Sequence, residues 1–338
     1  MRYFCTYFDH RYLPQGMALY HSLKEHCPSF HLWILTLSNE CYEILNRTPL
    51  PDVSLLRLED VEKGDEDLLR AKGDRSLIEY YFTLSPSFPL YILNHFTEVD
   101  LITYLDSDLY FFSDPSPIYD EMGDSSVGII PHRFPPRLKR FEIHGVYNVG
   151  WMSFRRDKNG LACLHWYRER CNEWCYDRVE GDRYADQKYL DKFGQLFDQV
   201  HVIEHKGANL APWNVDNYYI TEREGYIYVD EVPLIFFHFH GFKKVFFSCY
   251  DSGFASYKSK FTKIIKNRIF VPYLQVLDRY EEFSNHSQNK TIRGGESSHK
   301  ILKTMMPALF KFLKTTKWVL RLIISNSWFR WAKGREKA

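Results

Sequence analysis

The sequence contains no Cys-x-x-Cys pair, no internal repeat, and no basic opening followed by a long apolar segment. The first absence argues against a paired-cysteine zinc site, the second against a repeat array and the third against a secretory leader. The seven cysteines (5, 27, 41, 163, 171, 175 and 249) are odd in number and irregularly spaced. Cys171 and Cys175 stand four apart on an expected helix, yet no His/Cys partner pair follows at zinc spacing. Reduced structural thiols in a cytoplasmic protein are the expectation. Net charge is nearly absent too, at +1, but it is unevenly spread. From Lys300 to Ala338 there are ten Lys/Arg against one acid, Glu336, which leaves residues 1–299 with 34 basic and 42 acidic side chains. An acidic body with a basic tail argues against nucleic-acid binding and for an anionic partner at the tail alone.

What is present is a chain of 338 residues, 45% hydrophobic and 26% charged, long enough for a large core. Aromatic residues reach 17%, which suits strands, cores and sugar-stacking surfaces alike. Short β-rich runs alternate with helical spacing: strands at 2–8, 31–37, 53–58 and from Leu101, helices at 14–26, after Ser38, and over 76–96 with an interruption around Pro86 and Pro89. Further strands are expected at 125–130, 146–154, 225–229 and 233–240, with helices after Asp157 and over 184–194. This order predicts an α/β domain with a doubly wound, mainly parallel sheet over residues 1–250. A helical extension (251–285), a polar linker (286–299) and an amphipathic basic tail (300–338) follow. The longest uncharged run in the tail is eight residues, Leu322 to Phe329, far below the roughly 20 needed to span a bilayer. Docking on an anionic membrane surface is expected of it, with a helix packed on the domain as the alternative.

Residues 101–115, LITYLDSDLYFFSDP, place Asp106 and Asp108 two apart in an otherwise apolar run. Each bare charge is expensive to desolvate. Three readings compete. The pair could hold a divalent cation through hard oxygen ligands, form an aspartyl nucleophile and acid, or cap a turn. In a doubly wound sheet, ligands sit beyond the carboxyl ends of the strands, where this pair and Asp9 both fall. FHFHGFKK (237–244) offers further ligands, His238 and His240, on one strand face.

Here the sequence resembles the GT-A glycosyltransferases, nucleotide-sugar-dependent enzymes with a Rossmann-like sheet. YLDSDLYFFSDP is similar to their DxD segment, and four more stretches resemble the retaining, Mn²⁺-dependent family 8 branch. CTYFDHRYLPQGMALYHSL looks like its opening strand and helix, VYNVGWMSFRRD like its FNSG strand, RYADQKYLDKFG like its DQ helix, and HFHGFKK like its His-x-x-Gly-x-x-Lys. The order holds over residues 1 to about 245. The resemblance implies a metal site at Asp106, Asp108 and His238, with His240 as competitor and Ser107 between the acids. It implies Lys244 and Arg75 on the donor diphosphate, Thr6 and Asp9 on the nucleotide, and Asn148 with Asp186 and Gln187 beside the donor sugar. Asp186, then Gln187, would stabilise the oxocarbenium-like state. Asn209 and Trp213, in NLAPWNV, would approach the donor, and Trp151 or Tyr218 could join an acceptor platform.

The implied reaction moves a hexose from a nucleotide diphosphate, by expectation UDP, to a hydroxyl of a glycan or lipid-linked acceptor with Mn²⁺ or Mg²⁺. Its expected place is the cytoplasmic face of a membrane. Val245 and Phe246 stand where the family has Pro-Trp, Val149 replaces a small polar residue, and the stretch before the DxD segment departs from the pattern. These departures mark a divergent branch. A catalytically inactive glycan- or partner-binding relative, and a DxD phosphotransferase, remain the competing functions.

Overall fold

The structure is a computed structural model that describes residues 1–246, 249–291 and 328–330. Its central sheet is built from β1 (Arg2–Phe8), β2 (Phe30–Thr36), β3 (Val53–Arg57) and β4 (Leu101–Leu105), all parallel, and then β6 (Val127–Pro131), β7 (Tyr147–Arg155) and β8 (Val200–Val202). Spatial order is β3-β2-β1-β4-β7-β6-β8, with β7 antiparallel to both its neighbours. The α/β expectation therefore stands, as does the mainly parallel sheet.

Alternation along the strands explains why helices cover both faces. In β2, Leu32 and Ile34 join the cluster under α1 (Leu13–His26) and α2 (Asn39–Asn46), while Trp33 and Leu35 join the cluster on the opposite face. Successive strand side chains point to opposite faces, so two buried faces require apolar residues at every position. The opposite face is covered chiefly by α5 (Leu77–His95), reached through α3 (Leu58–Glu62) and α4 (Glu66–Asp74). Ser38 and Ser76 accept from Cys41 N and Glu79 N respectively, and Glu79 completes a capping box with Ser76.

Two expectations need correction. The helix α5 runs without interruption through Pro86 and Pro89. Proline at 86 removes the amide that would bond the Phe82 carbonyl, and the Ser85 hydroxyl donates to that carbonyl at 2.9 Å. Residues 187–192 form a 3-10 helix, followed by a single α-turn at Phe193–Leu196.

Beyond β4 the chain forms β5 (Leu109–Phe111) and α6 (Ser116–Met122), and after β7 the helix α7 (Lys158–Glu173). A small meander, β9 (Ile220–Arg223), β10 (Tyr226–Val229) and β11 (Val232–Pro233), leads to β12 (Phe236–His238). Helix Val271–Thr291 packs on α1 and shares one core with β12, so the extension is continuous with the domain. That helix also runs past residue 285 into the segment read as a linker. The remainder of 286–299, and the tail 300–338 apart from Trp328–Arg330, lie outside the described residues. Strand Trp328–Arg330 pairs with Cys249–Asp251. All seven cysteines are free, and six are buried.

Arg75 is part of this framework. Its side chain is fully buried, and it donates to Thr83 Oγ1 (2.5 Å), the Cys171 carbonyl (2.7 Å) and the Asn172 carbonyl (2.6 Å). The last two belong to the final turn of α7, whose carbonyls have no intrahelical partner. Arg75→Met strands these acceptors. A loss of about 2–4 kcal/mol in unfolding free energy is expected, measured by urea denaturation.

Candidate active site

The sheet order turns at β1 and β4: β2 and β3 follow β1 to one side, and β4 lies on the other. Ligands collect at the carboxyl ends of strands at such a turn. Asp9 follows β1, and Asp106, Ser107 and Asp108 follow β4, all four lining one cavity of about 480 Å³. That volume falls within the roughly 300–1,000 Å³ typical of small-molecule sites.

Backbone pairing delivers the histidine. The Asp106 amide donates to the Gly150 carbonyl at 3.1 Å, fixing the turn against β7. Strand β5 then pairs antiparallel with β12, placing Leu109 opposite His238, and the Phe239 amide donates to the Asp108 carbonyl. As a result His238 Nε2 lies 3.1 Å from Asp108 Oδ1 and 3.7 Å from Asp106 Oδ2. Asp108, His238 and His240 each bring a ligand atom within 4.8 Å of the others. His238 is buried, and His240 stands at the mouth.

The two acids are partly open to the cavity rather than sealed in the core, with side chains 26% and 22% exposed. Burial holds Asp106 above the ordinary carboxyl range, with His238 opposing and Asp108 adding, and Tyr104 OH donates to its Oδ1 at 2.9 Å. Burial also works against ionised Asp108, but the charge and hydrogen bond of His238 reverse it and hold Asp108 low. His238 in turn is kept above its usual value by Asp108, against its own burial. Two carboxylates and an imidazole converge, with the imidazolium proton lying between oxygen ligands. This donor set fits a divalent cation taking that proton's place.

The donor-sugar candidates stand on the other side of the cavity. Asn148 and Gln187 line it and are joined by an Asn148 Nδ2–Gln187 Oε1 hydrogen bond of 3.4 Å. Asp186 is 3% exposed, and the Ser85 hydroxyl meets it at 2.5 Å. Burial, and then the negative charge of Asp106, push Asp186 up to about 7. Ala185, just before it, has φ of 44°, a conformation that non-glycine residues adopt at some strain.

Other candidates lie elsewhere. Arg75 is committed to α7. Lys244 does not line the cavity and pairs with Glu281 at 2.6 Å. Thr6 is buried in β1, its hydroxyl without a hydrogen-bond partner among the described residues. Asn209 is fully buried, its amide donating to the Pro131 carbonyl at 3.3 Å. Trp151 packs in the core against Phe236, and Tyr218 does not reach the cavity, whereas Trp213 does line it. The sequence reading missed Ser85, Tyr104 and His132. Ser85 and His132 carry no local signal, but Tyr104 stands two residues before Asp106 on the same face of β4. Burial lowers His132 to about 3, so it is neutral at physiological pH.

The only Lys or Arg lining the cavity among the described residues is Arg11, which is bound to Asp9 at 3.2 Å. Against it stand Asp9, Asp106, Asp108 and Asp186.

The sheet has the GT-A glycosyltransferase fold. The galactosyltransferase LgtC, solved with donor and acceptor sugar analogues, shares that fold with a TM-score of 0.50. The match covers 84% of this chain and 95% of LgtC at 14% identity. No family model matches the chain. It is 34% identical over 285 residues to the uncharacterized protein YfnD of Bacillus subtilis (strain 168), covering 82% of this chain and 89% of YfnD. It is 32% identical over 250 residues to YfnF of the same organism, covering 72% and 82%. The chain belongs to the family of YfnD and YfnF.

The raised Asp186 gives a pH-dependent stability with a defined sign. The native state holds this proton more tightly than the unfolded chain, so the associated stability is present below the unfolded value near 4. It is lost as pH rises to about 7. Asp186→Asn carries no such penalty. Its advantage in thermal midpoint over wild type, measured with EDTA present, should therefore grow from pH 5 to pH 8. The limiting difference is on the order of 4 kcal/mol.

Proposed function

We propose that this protein is a metal-dependent glycosyltransferase. It would move a hexose, with retention, from a nucleotide diphosphate of the UDP class to a hydroxyl of a glycan or lipid-linked acceptor. The observation that carries this reading is the convergence of Asp106, Asp108 and His238 at the end of β4, inside a cavity of donor size. A cation held there, Mn²⁺ or Mg²⁺, supplies the positive charge that a departing diphosphate needs. The cavity's own charges support the idea. Four acids and one engaged arginine leave the diphosphate no other strong cationic partner among the lining residues. The role of Asp186 and Gln187 is to flank the donor sugar, Asp186 as the carboxylate nearest the developing positive charge. The diphosphate oxygen itself can take the acceptor proton, so the protein mainly orients and stabilises.

Thermal-shift measurements with UDP, GDP, CDP and dTDP, each with and without Mn²⁺, test the reading. UDP is expected to raise the midpoint only with metal, and Asp108→Asn to abolish that rise. No metal-dependent shift with any of the four nucleotides would withdraw the proposal in favour of an inactive binder or a phosphotransferase.

The composition of 300–338 supports a further element, contact with an anionic membrane surface. Truncation after residue 299 should abolish cosedimentation with vesicles containing anionic phospholipid. Unchanged cosedimentation would remove the membrane from the reading.

A further inference from the structure

His132, Asn148 and His238 form a hydrogen-bonded chain whose polarity is set independently from two backbone groups. At one end the Val146 carbonyl can only accept, so His132 Nδ1, 3.1 Å away, carries a proton. Further along, the Gly150 amide can only donate, so the Asn148 atom 3.2 Å from it is the carboxamide oxygen. With Asn148 thus oriented, its Nδ2 donates to His132 Nε2 at 3.4 Å, and its Oδ1 accepts from His238 Nδ1 at 3.2 Å. Both anchors give the same direction. His238 therefore carries a proton on Nδ1, and Nε2, whose own proton a cation would replace, is the nitrogen turned to Asp106 and Asp108.

We propose that His132 is a positioning residue for the metal site: acting through Asn148, it holds the ring of His238 and its Nδ1–H tautomer so that Nε2 meets the cation. The inference rests on the reading that Asp106, Asp108 and His238 bind a divalent metal. A ligating imidazole commonly donates its other N–H to a fixed acceptor, which sets both orientation and tautomer. Here that acceptor is an amide, and an amide can rotate. Its Nδ2 must be anchored for Oδ1 to stay in place, and His132 supplies one of its two acceptors, Gln187 Oε1 the other.

His132 is well held for this task. It is 6% exposed and stacks on Phe134 with centroids 4.6 Å apart and planes 10° from parallel. Its own carbonyl accepts from the Trp213 indole (2.8 Å) and the Asn214 amide (2.9 Å). The next residue, Arg133, has φ of 55°, and its guanidinium donates to the Ala208 carbonyl at 2.7 Å. Gly150 completes the arrangement. A Cβ there would come within 2.7 Å of Asn148 Oδ1 and 3.0 Å of the His238 ring.

Mn²⁺ binding to the full chain without nucleotide, followed by electron paramagnetic resonance of the free ion, tests the relay. The proteins compared are wild type, Asp108→Asn, His132→Phe and His132→Gln. Phenylalanine keeps the stack on Phe134 and removes the acceptor, while glutamine restores an acceptor oxygen. The expected pattern is no saturable binding in Asp108→Asn, about tenfold weaker binding in His132→Phe, and near-recovery in His132→Gln. Wild-type affinity in His132→Phe overturns the relay and leaves the metal site standing. Equal loss in both His132 variants assigns His132 to packing and also overturns it. No binding in wild type, or full binding in Asp108→Asn, overturns the metal reading itself. A measurement free of variants is the long-range ¹H–¹⁵N spectrum of Zn²⁺-loaded wild type. It should show the His238 proton on Nδ1, and a proton on Nε2 overturns the proposal.

Discussion

Burial of the two aspartates that end β4 is the constraint to which much of the structure answers. Taking a carboxylate out of water costs several kcal/mol unless it is paired, and the same cavity holds a third acid, Asp186. Asp106 and Asp108 share the load unequally: burial raises one, and His238 lowers the other. This division depends on a long-range pairing, because His238 lies 130 positions after Asp108 and reaches it only through the β5–β12 ladder. The ladder depends in turn on what stands behind it. Tyr110 of β5 and Phe237 of β12 share a core with Ile269, Phe270 and Tyr273. The C-terminal extension thus buttresses the strand that carries the histidine.

Three of the eight non-glycine residues with left-handed φ among the described residues stand next to residues of the candidate site. Arg133, Ala185 and Asn209 all take left-handed φ values, of 55°, 44° and 61°, beside His132, Asp186 and the Trp213 loop. Each such residue costs of order 1–3 kcal/mol and persists only where its surroundings fix it. The β6–β7 register also breaks here. One step from Ile129 to Ile130 spans Met152 to Asn148 on the partner strand. A bulge of this kind re-aims side chains and bends the strand, and Asn148 is the first residue paired beyond it. Regular geometry is given up where orientation of a polar group is gained.

The N-terminal half was largely legible because local rules govern it. Short continuous apolar runs in β1 and β2 and the Ser38 cap announce their elements without help from the rest of the chain. The DxD turn was legible for a related reason, since a charged pair after an apolar strand has few inexpensive resting places. Arg75 and Lys244 show where this reasoning ends. Sequence fixes their charge but not the direction of their side chains, and both found partners among protein groups, one on helix carbonyls and one on Glu281. His132 was invisible for the opposite reason. Its role depends on hydrogen-bond polarity relayed from backbone groups of another strand, and no spacing pattern encodes that.

Helix α5 shows how a local irregularity can reach the candidate site. Pro86 frees the Phe82 carbonyl, and the Ser85 hydroxyl serves it. The same hydroxyl contacts Asp186, while Tyr7 OH gives its own proton to the Tyr81 carbonyl. Ser85 has only one proton to donate. While Asp186 is neutral, the acid donates to Ser85, Ser85 donates to Phe82, and every acceptor is served. When Asp186 ionises, Ser85 can stabilise the carboxylate only by turning from Phe82, whose carbonyl then loses the partner that replaced its helical one. The help Ser85 gives the charge is offset within the helix, leaving burial and Asp106 to dominate. A carboxyl poised near neutrality is suited to chemistry that needs its charge at one stage only. At this position Pro86 is part of what poises it.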